Sequence, residues 1–149
     1  MQDSVDFQKI FLELIEDLDC VRSEIPKKIG IEYSTFKNIV DYGKFPKPVV
    51  LIRIADYFNI SFDYLIGFSD SSEYERSTSN NSFLIRFELL KKENGYTDYA
   101  ISKKLHTSTS YTTRWKKHNS IPSLDNLIIL SEIFCVSLDY LLGRSDYKH

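Results

Sequence analysis

Hydrophobic residues recur along this chain at intervals of three and four, which is the spacing of one face of an α-helix. The first apolar stripe consists of Phe7, Ile10, Phe11, Leu14, Ile15 and Leu18. A similar stripe, made of Phe83, Leu84, Phe87 and Leu90, follows later. No segment sustains the alternation of apolar and polar residues that is typical of a β-strand. The pattern therefore predicts an all-α protein.

The sequence repeats itself when it is shifted by 76 residues. The segment FNISFDYLIGFSD (Phe58–Asp70) falls on FCVSLDYLLGRSD (Phe134–Asp146), and 8 of the 13 positions are identical. A match over this distance indicates two copies of one domain. We predict an N-terminal domain at residues 1–68, a polar linker at 69–81 and a C-terminal domain at 82–149. Whether the linker is flexible or continues a helix stays open.

Each copy is predicted to contain five helices. Two short helices follow the first one, and a proline-containing loop then leads to a fourth helix, at about Val49–Phe58 and Leu124–Phe134. The fifth helix ends at Gly67 or Gly143, because glycine is favoured just beyond a helix C-terminus. Serine is a favoured N-cap residue, and the predicted N-caps are Ser82 and Ser123, while the fifth helix is expected to start after Ser61 or Ser137.

Composition narrows the class of protein. At 42% hydrophobic residues the chain can form packed cores, and no apolar run approaches the roughly 20 residues that span a bilayer. The acidic start MQDSVDFQ argues against a signal peptide. Two isolated cysteines, Cys20 and Cys135, indicate reduced, buried thiols. We therefore expect a cytoplasmic protein.

Nothing in the sequence indicates catalysis. The three histidines form no metal-ligand or catalytic-triad spacing, and no glycine-rich phosphate loop is present. We expect no enzymatic activity, no cofactor, no metal and no small-molecule substrate.

Charge is distributed unevenly. The overall net charge of −2 divides into −5 for residues 1–76 and +3 for residues 77–149. The window Tyr99–Leu124 contains no Asp or Glu, and its cationic residues are Lys103, Lys104, Arg114, Lys116 and Lys117. Such a window is typical of a nucleic-acid contact or of a solvated basic face, and charge alone leaves both open.

The middle of each copy has the spacing of a helix-turn-helix motif. The positions that pack its two helices together are Ile25, Ile29, Ile31, Phe36 and Ile39 in the first copy and Ile101, Leu105, Thr107, Thr112 and Trp115 in the second. The tight turn between the helices, where a positive φ is wanted, falls on Gly30 and on His106. With the closing segment SLDYLLG, these residues resemble the Cro and phage-repressor helix-turn-helix family, also called XRE-like. The resemblance covers about 60 residues in each copy and is more specific in the second.

The resemblance implies two tandem five-helix, lambda-repressor-like domains that bind double-stranded DNA, with the second helix of each motif in the major groove. The residues it brings to base edges are Thr109, Ser110, Thr113 and Arg114, and in the first copy Tyr33, Ser34, Lys37 and Asn38. The residues it brings to phosphates are Lys103, Lys104, Ser108, Lys117 and Asn119, and in the first copy Lys27, Lys28 and Lys44. Arg114 is the sharpest candidate, because a guanidinium can bond to both acceptors of guanine.

Departures from the family pattern carry further predictions. Pro26 cannot lie deep in a helix, so the second helix of the first copy should begin late, near Glu24, with Ser23 as its N-cap. In the second copy Ser108 is the expected N-cap, and Tyr111 is expected to contact sugar or a thymine methyl. Thr107 and Thr112 stand where aliphatic residues are usual, which predicts looser packing, and Asp98 should serve a helix N-terminus rather than a phosphate.

The leading hypothesis is a bacterial or phage transcriptional regulator, a repressor rather than an activator. Its two domains would occupy adjacent half-sites roughly 34 Å apart, with the C-terminal domain as the main DNA contact. The alternative is an antitoxin-like or antirepressor-like protein-interaction module, favoured by Glu32 and Asp41 beside the first motif. A homodimer through exposed aromatic residues is also open, and the residues for it are Tyr64, Phe68 and Tyr140.

Overall fold

The computed structural model describes residues 4–149, with side chains from residue 6 onward, and the chain divides into two compact units. The boundary falls between Tyr74 and Glu75, within the segment predicted as a linker. The described residues form ten α-helices and no β-strand, so the all-α prediction is confirmed. The first three residues, on which the expectation about a signal peptide partly rests, lie outside the described part.

The described residues of each unit form five helices. In the N-terminal unit these are α1 (Ser4–Glu16), α2 (Ile25–Ile29), α3 (Tyr33–Tyr42), α4 (Pro48–Phe58) and α5 (Phe62–Leu65), with a 3₁₀ turn at Arg22–Glu24. In the C-terminal unit they are α6 (Phe83–Asn94), α7 (Asp98–Lys104), α8 (Thr109–His118), α9 (Leu124–Phe134) and α10 (Leu138–Leu141).

Aromatic residues of α1 form the centre of the N-terminal core. Phe7 stacks on Phe45 with ring centroids 4.7 Å apart, and Phe11 meets Phe36 edge-on at 5.9 Å. Phe7 and Phe11 are fully buried, and burial of a side chain of this size contributes about 1.5–3 kcal/mol. Leu51 of α4 is also fully buried, so α4 contributes to the core of this unit.

The C-terminal core is organised around Trp115 of α8. Its indole meets the rings of Phe83 and Phe87 edge-on, with centroids 5.8 and 5.5 Å away. Only 2% of Trp115 is exposed, so it serves packing, as its position in the motif indicates. This arrangement fixes α8 firmly against α6.

The predicted N-caps Ser82 and Ser123 are confirmed, and the fifth helices start directly after Ser61 and Ser137 as expected. The hydroxyl oxygens of four serines accept the backbone N–H three residues further on, which satisfies one free donor of each helix start: Ser61, Ser82, Ser123 and Ser137. The fourth helix of the C-terminal unit has the predicted bounds, and that of the N-terminal unit begins one residue earlier, at Pro48. Proline is favoured at this first helical position because no N–H is needed there.

The late start of the second helix is also confirmed. A 3₁₀ turn occupies Arg22–Glu24, and α2 begins at Ile25 with Pro26 in its first turn. The predicted cap was wrong, because the N-cap position is held by Glu24 rather than Ser23 and its side chain makes no capping hydrogen bond. The 3₁₀ turn, closed by a bond from the Glu24 N–H to the Val21 carbonyl, leads the chain into the helix instead.

The prediction of two buried thiols was wrong. Cys135 is exposed and Cys20 is half-buried. Cys135 follows the last residue of α9 and has a φ of 53°. A residue in this left-handed C-cap position lies beyond the last helical turn, and the Cys135 thiol lies 3.6 Å from the Glu132 carbonyl at that end of α9.

One of the three residues predicted to form an exposed aromatic patch is buried. Tyr140 is only 5% exposed, because the guanidinium of Arg86 lies 4.0 Å from its ring centroid. Arg86 is itself buried and bonds to Asp146 at 2.8 Å. Phe68 is 38% exposed and Tyr64 is half-buried.

The segment 69–81 contains no helix, so it does not continue α5. Its two ends are bonded to different units: the Ser72 carbonyl accepts from the Ser61 N–H at 2.9 Å, and the Ser77 N–H donates to the Arg144 carbonyl at 2.8 Å. The Ser77 hydroxyl also donates to Asp146 at 2.7 Å. This bond from Ser77 outweighs desolvation and, with the bond from Arg86, lowers the pKa of Asp146.

Candidate nucleic-acid interface

Helices α7 and α8 are joined by a tight turn at residues 105–108. His106 has a φ of 55°, which confirms the predicted left-handed conformation at this position. Within the turn the Thr107 N–H donates to the Ser102 carbonyl at 2.9 Å. Ser102 is buried where the two helices meet, and Ile101 beneath them is fully buried. The turn thereby fixes the orientation of α8 relative to α7.

The two threonines in the packing positions behave differently. Thr112 is fully buried, and its hydroxyl donates to the Thr109 carbonyl at 2.9 Å. The prediction of looser packing was therefore wrong at Thr112, because its polar atom is satisfied within its own helix. Thr107 is half-buried at the start of the turn.

The four predicted base-contacting side chains of α8 lie together on the solvent side of the first two turns. All four are exposed: Thr109, Ser110, Thr113 and Arg114. The Ser110 hydroxyl bonds to that of Ser108 at 2.7 Å, and the Thr113 hydroxyl donates to the Thr109 carbonyl at 3.0 Å. Each of these hydroxyl oxygens keeps free acceptor capacity.

Ser108 holds the N-cap position of α8, but its hydroxyl makes no capping hydrogen bond. It is directed to Ser110 instead, and the side chain is exposed. The first N–H groups of α8 therefore keep unsatisfied donors, which favour an anion such as a phosphate oxygen.

The predicted phosphate contacts of the C-terminal unit surround this helix. Lys103 and Lys104 are exposed in the last turn of α7, while Lys117 and Asn119 are exposed at the end of α8. No carboxylate in the described part of the chain pairs with these lysines or with Arg114. Three of the cations lie over aromatic rings. The distance from the cationic group to the ring centroid is 5.3 Å for Lys103 over Tyr99, 5.6 Å for Lys104 over Tyr96 and 5.6 Å for Arg114 over Tyr111.

Lys116 is the exception among the cations of α8. Its ammonium lies 2.9 Å from Asp98 and 3.0 Å from Glu88. Lys91, buried on α6, pairs with the same two carboxylates. This four-membered ion cluster connects α6, α7 and α8, so Lys116 stabilises the fold rather than presenting its charge to a partner.

The ion cluster shifts the pKa of Asp98 and that of Lys116. Partial burial opposes ionisation of Asp98, but hydrogen bonds from Lys91 and Lys116 outweigh it and lower the pKa of this carboxyl. The hydrogen bond to Asp98, aided by Glu88, raises the pKa of the Lys116 ammonium. Asp98 was expected to act on a helix N-terminus, and it is indeed the first residue of α7. Its ion pairs were missed because both partners lie on other helices, Lys91 on α6 and Lys116 on α8.

Tyr111 does not stand free for a sugar or a thymine methyl. Its ring packs edge-on against Trp115 with centroids 5.1 Å apart, and its hydroxyl accepts a bond of 3.3 Å from the Asn126 amide. The side chain is half-buried between α8 and α9. Tyr111 therefore packs α8 against α9, and its contact with DNA stays a prediction.

In the N-terminal unit the equivalent surface is provided by α3. Tyr33 is 60% exposed, Ser34 and Lys37 are exposed, and Asn38 is half-buried. Lys37 pairs with Asp41 one turn later, at 3.2 Å. This carboxylate reduces the positive charge that α3 presents.

The predicted phosphate contacts of the N-terminal unit are three exposed lysines. Lys27 and Lys28 lie on α2, and Lys44 lies in the loop before α4. Gly30 ends α2 with a φ of 86°, the left-handed conformation predicted there. Glu32, exposed at the N-cap of α3, places a carboxylate between α2 and α3.

Searches of family models, curated proteins and solved structures returned no match to this chain. Within the described residues no group of histidine, cysteine, aspartate and glutamate could hold a metal ion. None of the described helices is long and apolar enough to cross a membrane.

Proposed function

We propose that this protein is a sequence-specific, double-stranded DNA-binding transcriptional regulator, a repressor, built from two tandem helix-turn-helix domains of the Cro and phage-repressor type. The C-terminal unit supplies the main DNA contact, with α8 in the major groove. The N-terminal unit supplies a weaker contact on an adjacent half-site.

The surface of α8 carries the proposal. It presents three hydroxyls and one guanidinium on the solvent side of its first two turns. Lysines on both sides of it have no ion-pair partner among the described residues. Side chains that bond to base edges, flanked by unpaired cations, are what a duplex needs from a protein: phosphate contacts position the helix and base contacts select the sequence.

Two features of the turn favour the same function. The left-handed His106 allows the sharp bend between α7 and α8 that this motif requires. The uncapped start of α8 leaves backbone N–H groups for a phosphate.

A salt series tests the proposal. Binding of the whole chain to labelled genomic duplexes should weaken steeply with salt, with a log–log slope of about −0.9 for each phosphate contacted. The triple variant Lys103→Gln, Lys104→Gln, Lys117→Gln should make that slope less steep by about three. Lys92→Gln, which removes an exposed lysine of α6 outside this surface, serves as the matched control. Absence of binding at low salt would reject the proposal.

A protein-interaction module remains the second candidate, for the N-terminal unit in particular. Glu32 and the pair of Lys37 with Asp41 place carboxylates where phosphates would pass. Such a module would bind DNA weakly in this unit while keeping the fold. Replacing Lys27, Lys28 and Lys44 by glutamine distinguishes the two candidates for this unit, because it makes the salt slope of the whole chain less steep only if these lysines contact phosphates.

A further inference from the structure

The N-terminal unit contains a groove between α3, α4 and the loop that joins them. Its volume is about 720 Å³, which lies within the range of small-molecule sites. The floor and walls include Ile31, Thr35, Phe45, Pro46 and Val50. Phe45 stacks on Phe7 of the buried core, which ties this wall to the packed interior of the unit. The groove is therefore preformed and partly apolar.

The second copy of the repeat shows what fills this position in the twin unit. A shift of 76 residues places Thr35 on Tyr111 and Val50 on Asn126. In the C-terminal unit the ring of Tyr111 lies on Trp115, and its hydroxyl accepts from Asn126. In the N-terminal unit a threonine and a valine replace that pair, and both of them line the groove. The open space thus corresponds to an absent hydroxyphenyl ring.

The groove also carries positive charge that the equivalent surface of the C-terminal unit lacks. Lys44, Lys47 and Arg53 line it, against one carboxylate, Glu32. The residues at the equivalent positions are all neutral: Ser120, Ser123 and Ile129. In the described part of the chain no carboxylate pairs with the two lysines, while Arg53 donates to the Gly30 carbonyl at 2.9 Å. A ligand here would therefore be anionic.

We propose that this groove is a binding site for a small aromatic carboxylate, a planar ring that carries an acidic group. The ring occupies the space between Thr35 and Val50, and the carboxylate meets Lys44 and Lys47. The sequence alone led us to expect no small-molecule partner, because a missing side chain leaves no motif. Asn38, a predicted base contact, also lines the groove, so the bound ligand lies beside the outer face of α3. The proposal stands whether or not α3 contacts DNA.

The test uses 4-hydroxyphenylacetate, which combines the hydroxyphenyl ring of a tyrosine with a carboxylate. Titrated into the isotope-labelled whole chain, it should give saturable shifts of the Thr35, Asn38 and Val50 amides. For a ligand of this size we expect a dissociation constant of about 1 mM or below. Acetate, which lacks the ring, and 4-methylphenol, which lacks the charge, should each bind at least about tenfold more weakly.

Two variants locate the site. Thr35→Tyr combined with Val50→Asn installs the arrangement of the C-terminal unit and should lower the affinity at least about tenfold by filling the space. Lys44→Gln combined with Lys47→Gln leaves the groove open and should also lower it about tenfold. Lys9→Gln removes an exposed lysine elsewhere in the same unit and should leave the affinity unchanged.

Three results would overturn the proposal. The first is absence of saturable binding by the wild-type chain. The second is binding of acetate or inorganic phosphate as tight as that of the aromatic acid, which would indicate a site for any anion. The third is unchanged affinity in the double lysine variant, which decides the matter even where the filled variant fails to fold.

Discussion

Three cations within four residues of α8 have three different surroundings. Arg114 is exposed and lies over the ring of Tyr111. Lys116 is held between two carboxylates. Lys117 is exposed at the end of the helix and has no carboxylate partner among the described residues. All three residues are positively charged, so their positions on the helix decide which of them is available to bind DNA.

Replacing these cations one at a time should separate their roles. Arg114→Ala should reduce discrimination at one base pair by about 1–3 kcal/mol, because the guanidinium bonds to two acceptors of guanine. Lys117→Ala should weaken binding equally for all sequences and make the salt slope less steep by about one. Binding to a panel of single-base variants of a selected duplex measures both effects.

The control for this pair is Lys116→Ala, which removes the same charge from the same helix. It should lower the stability of the C-terminal unit and leave sequence preference unchanged. Equal, uniform losses of affinity in the Arg114 and Lys117 variants would show that Arg114 does not contact bases.

Asp98 should make the C-terminal unit sensitive to acid. Because its pKa is lowered in the folded state, its stabilisation is fully present above the ordinary value of 3.8 and is lost as the pH falls through the lower value. Asp98→Asn should cost about 1–3 kcal/mol at neutral pH, since buried Lys91 loses a charged partner. The cost should shrink as the pH falls below 3.8 and through the lowered pKa of Asp98.

Trp115 is the only tryptophan of the chain, so its fluorescence during denaturant unfolding reports on this unit. Glu132→Gln, an exposed carboxyl on α9, is the matched control and should give little change at either pH. An Asp98→Asn variant as stable as the wild type at neutral pH would contradict the role given to the ion cluster.

At the scale of elements, the helices and their ends could be predicted from local residues. The serine caps, the proline in the first turn of α2 and the positive φ at the two motif turns each depend on neighbours within one turn of chain. The ion cluster could not be predicted, because it joins α6 to α8 across the fold. The exposure of Cys135 was missed because the residue was assigned to the apolar stretch of α9, whereas it is the C-cap just beyond that helix.

The turn between α7 and α8 has backbone strain that the equivalent turn between α2 and α3 avoids. His106 and Gly30 both have a positive φ, but only glycine adopts it without steric cost. His106→Gly should therefore raise the free energy of unfolding of the C-terminal unit, by about 1 kcal/mol. Trp115 fluorescence during denaturant unfolding measures it.

The reciprocal change is the control for this prediction. At Gly30 an added methyl group would meet no atom within 4 Å, so Gly30→Ala tests the backbone conformation alone. It should destabilise the N-terminal unit by about 1 kcal/mol, as followed by circular dichroism. A His106→Gly variant less stable than the wild type would contradict strain at the turn.

At the scale of the whole molecule, the two units share one architecture but differ in charge. Residues 1–76 carry a net charge of −5 and residues 77–149 carry +3. The repeat could be recognised from the sequence because the closing segments are so similar. The groove of the N-terminal unit could not be recognised from the sequence. It lies where Thr35 replaces the larger Tyr111 of the second copy, and a smaller side chain leaves no motif.

We propose that the C-terminal unit binds duplex DNA and dominates the affinity of the chain for it. Fluorescence anisotropy of a duplex selected by the whole chain, titrated with residues 75–149 and separately with residues 1–74, tests this directly. We expect salt-sensitive binding by 75–149, at least about tenfold tighter than that of 1–74. Absence of binding by 75–149 at low salt, or tighter binding by 1–74, would contradict it.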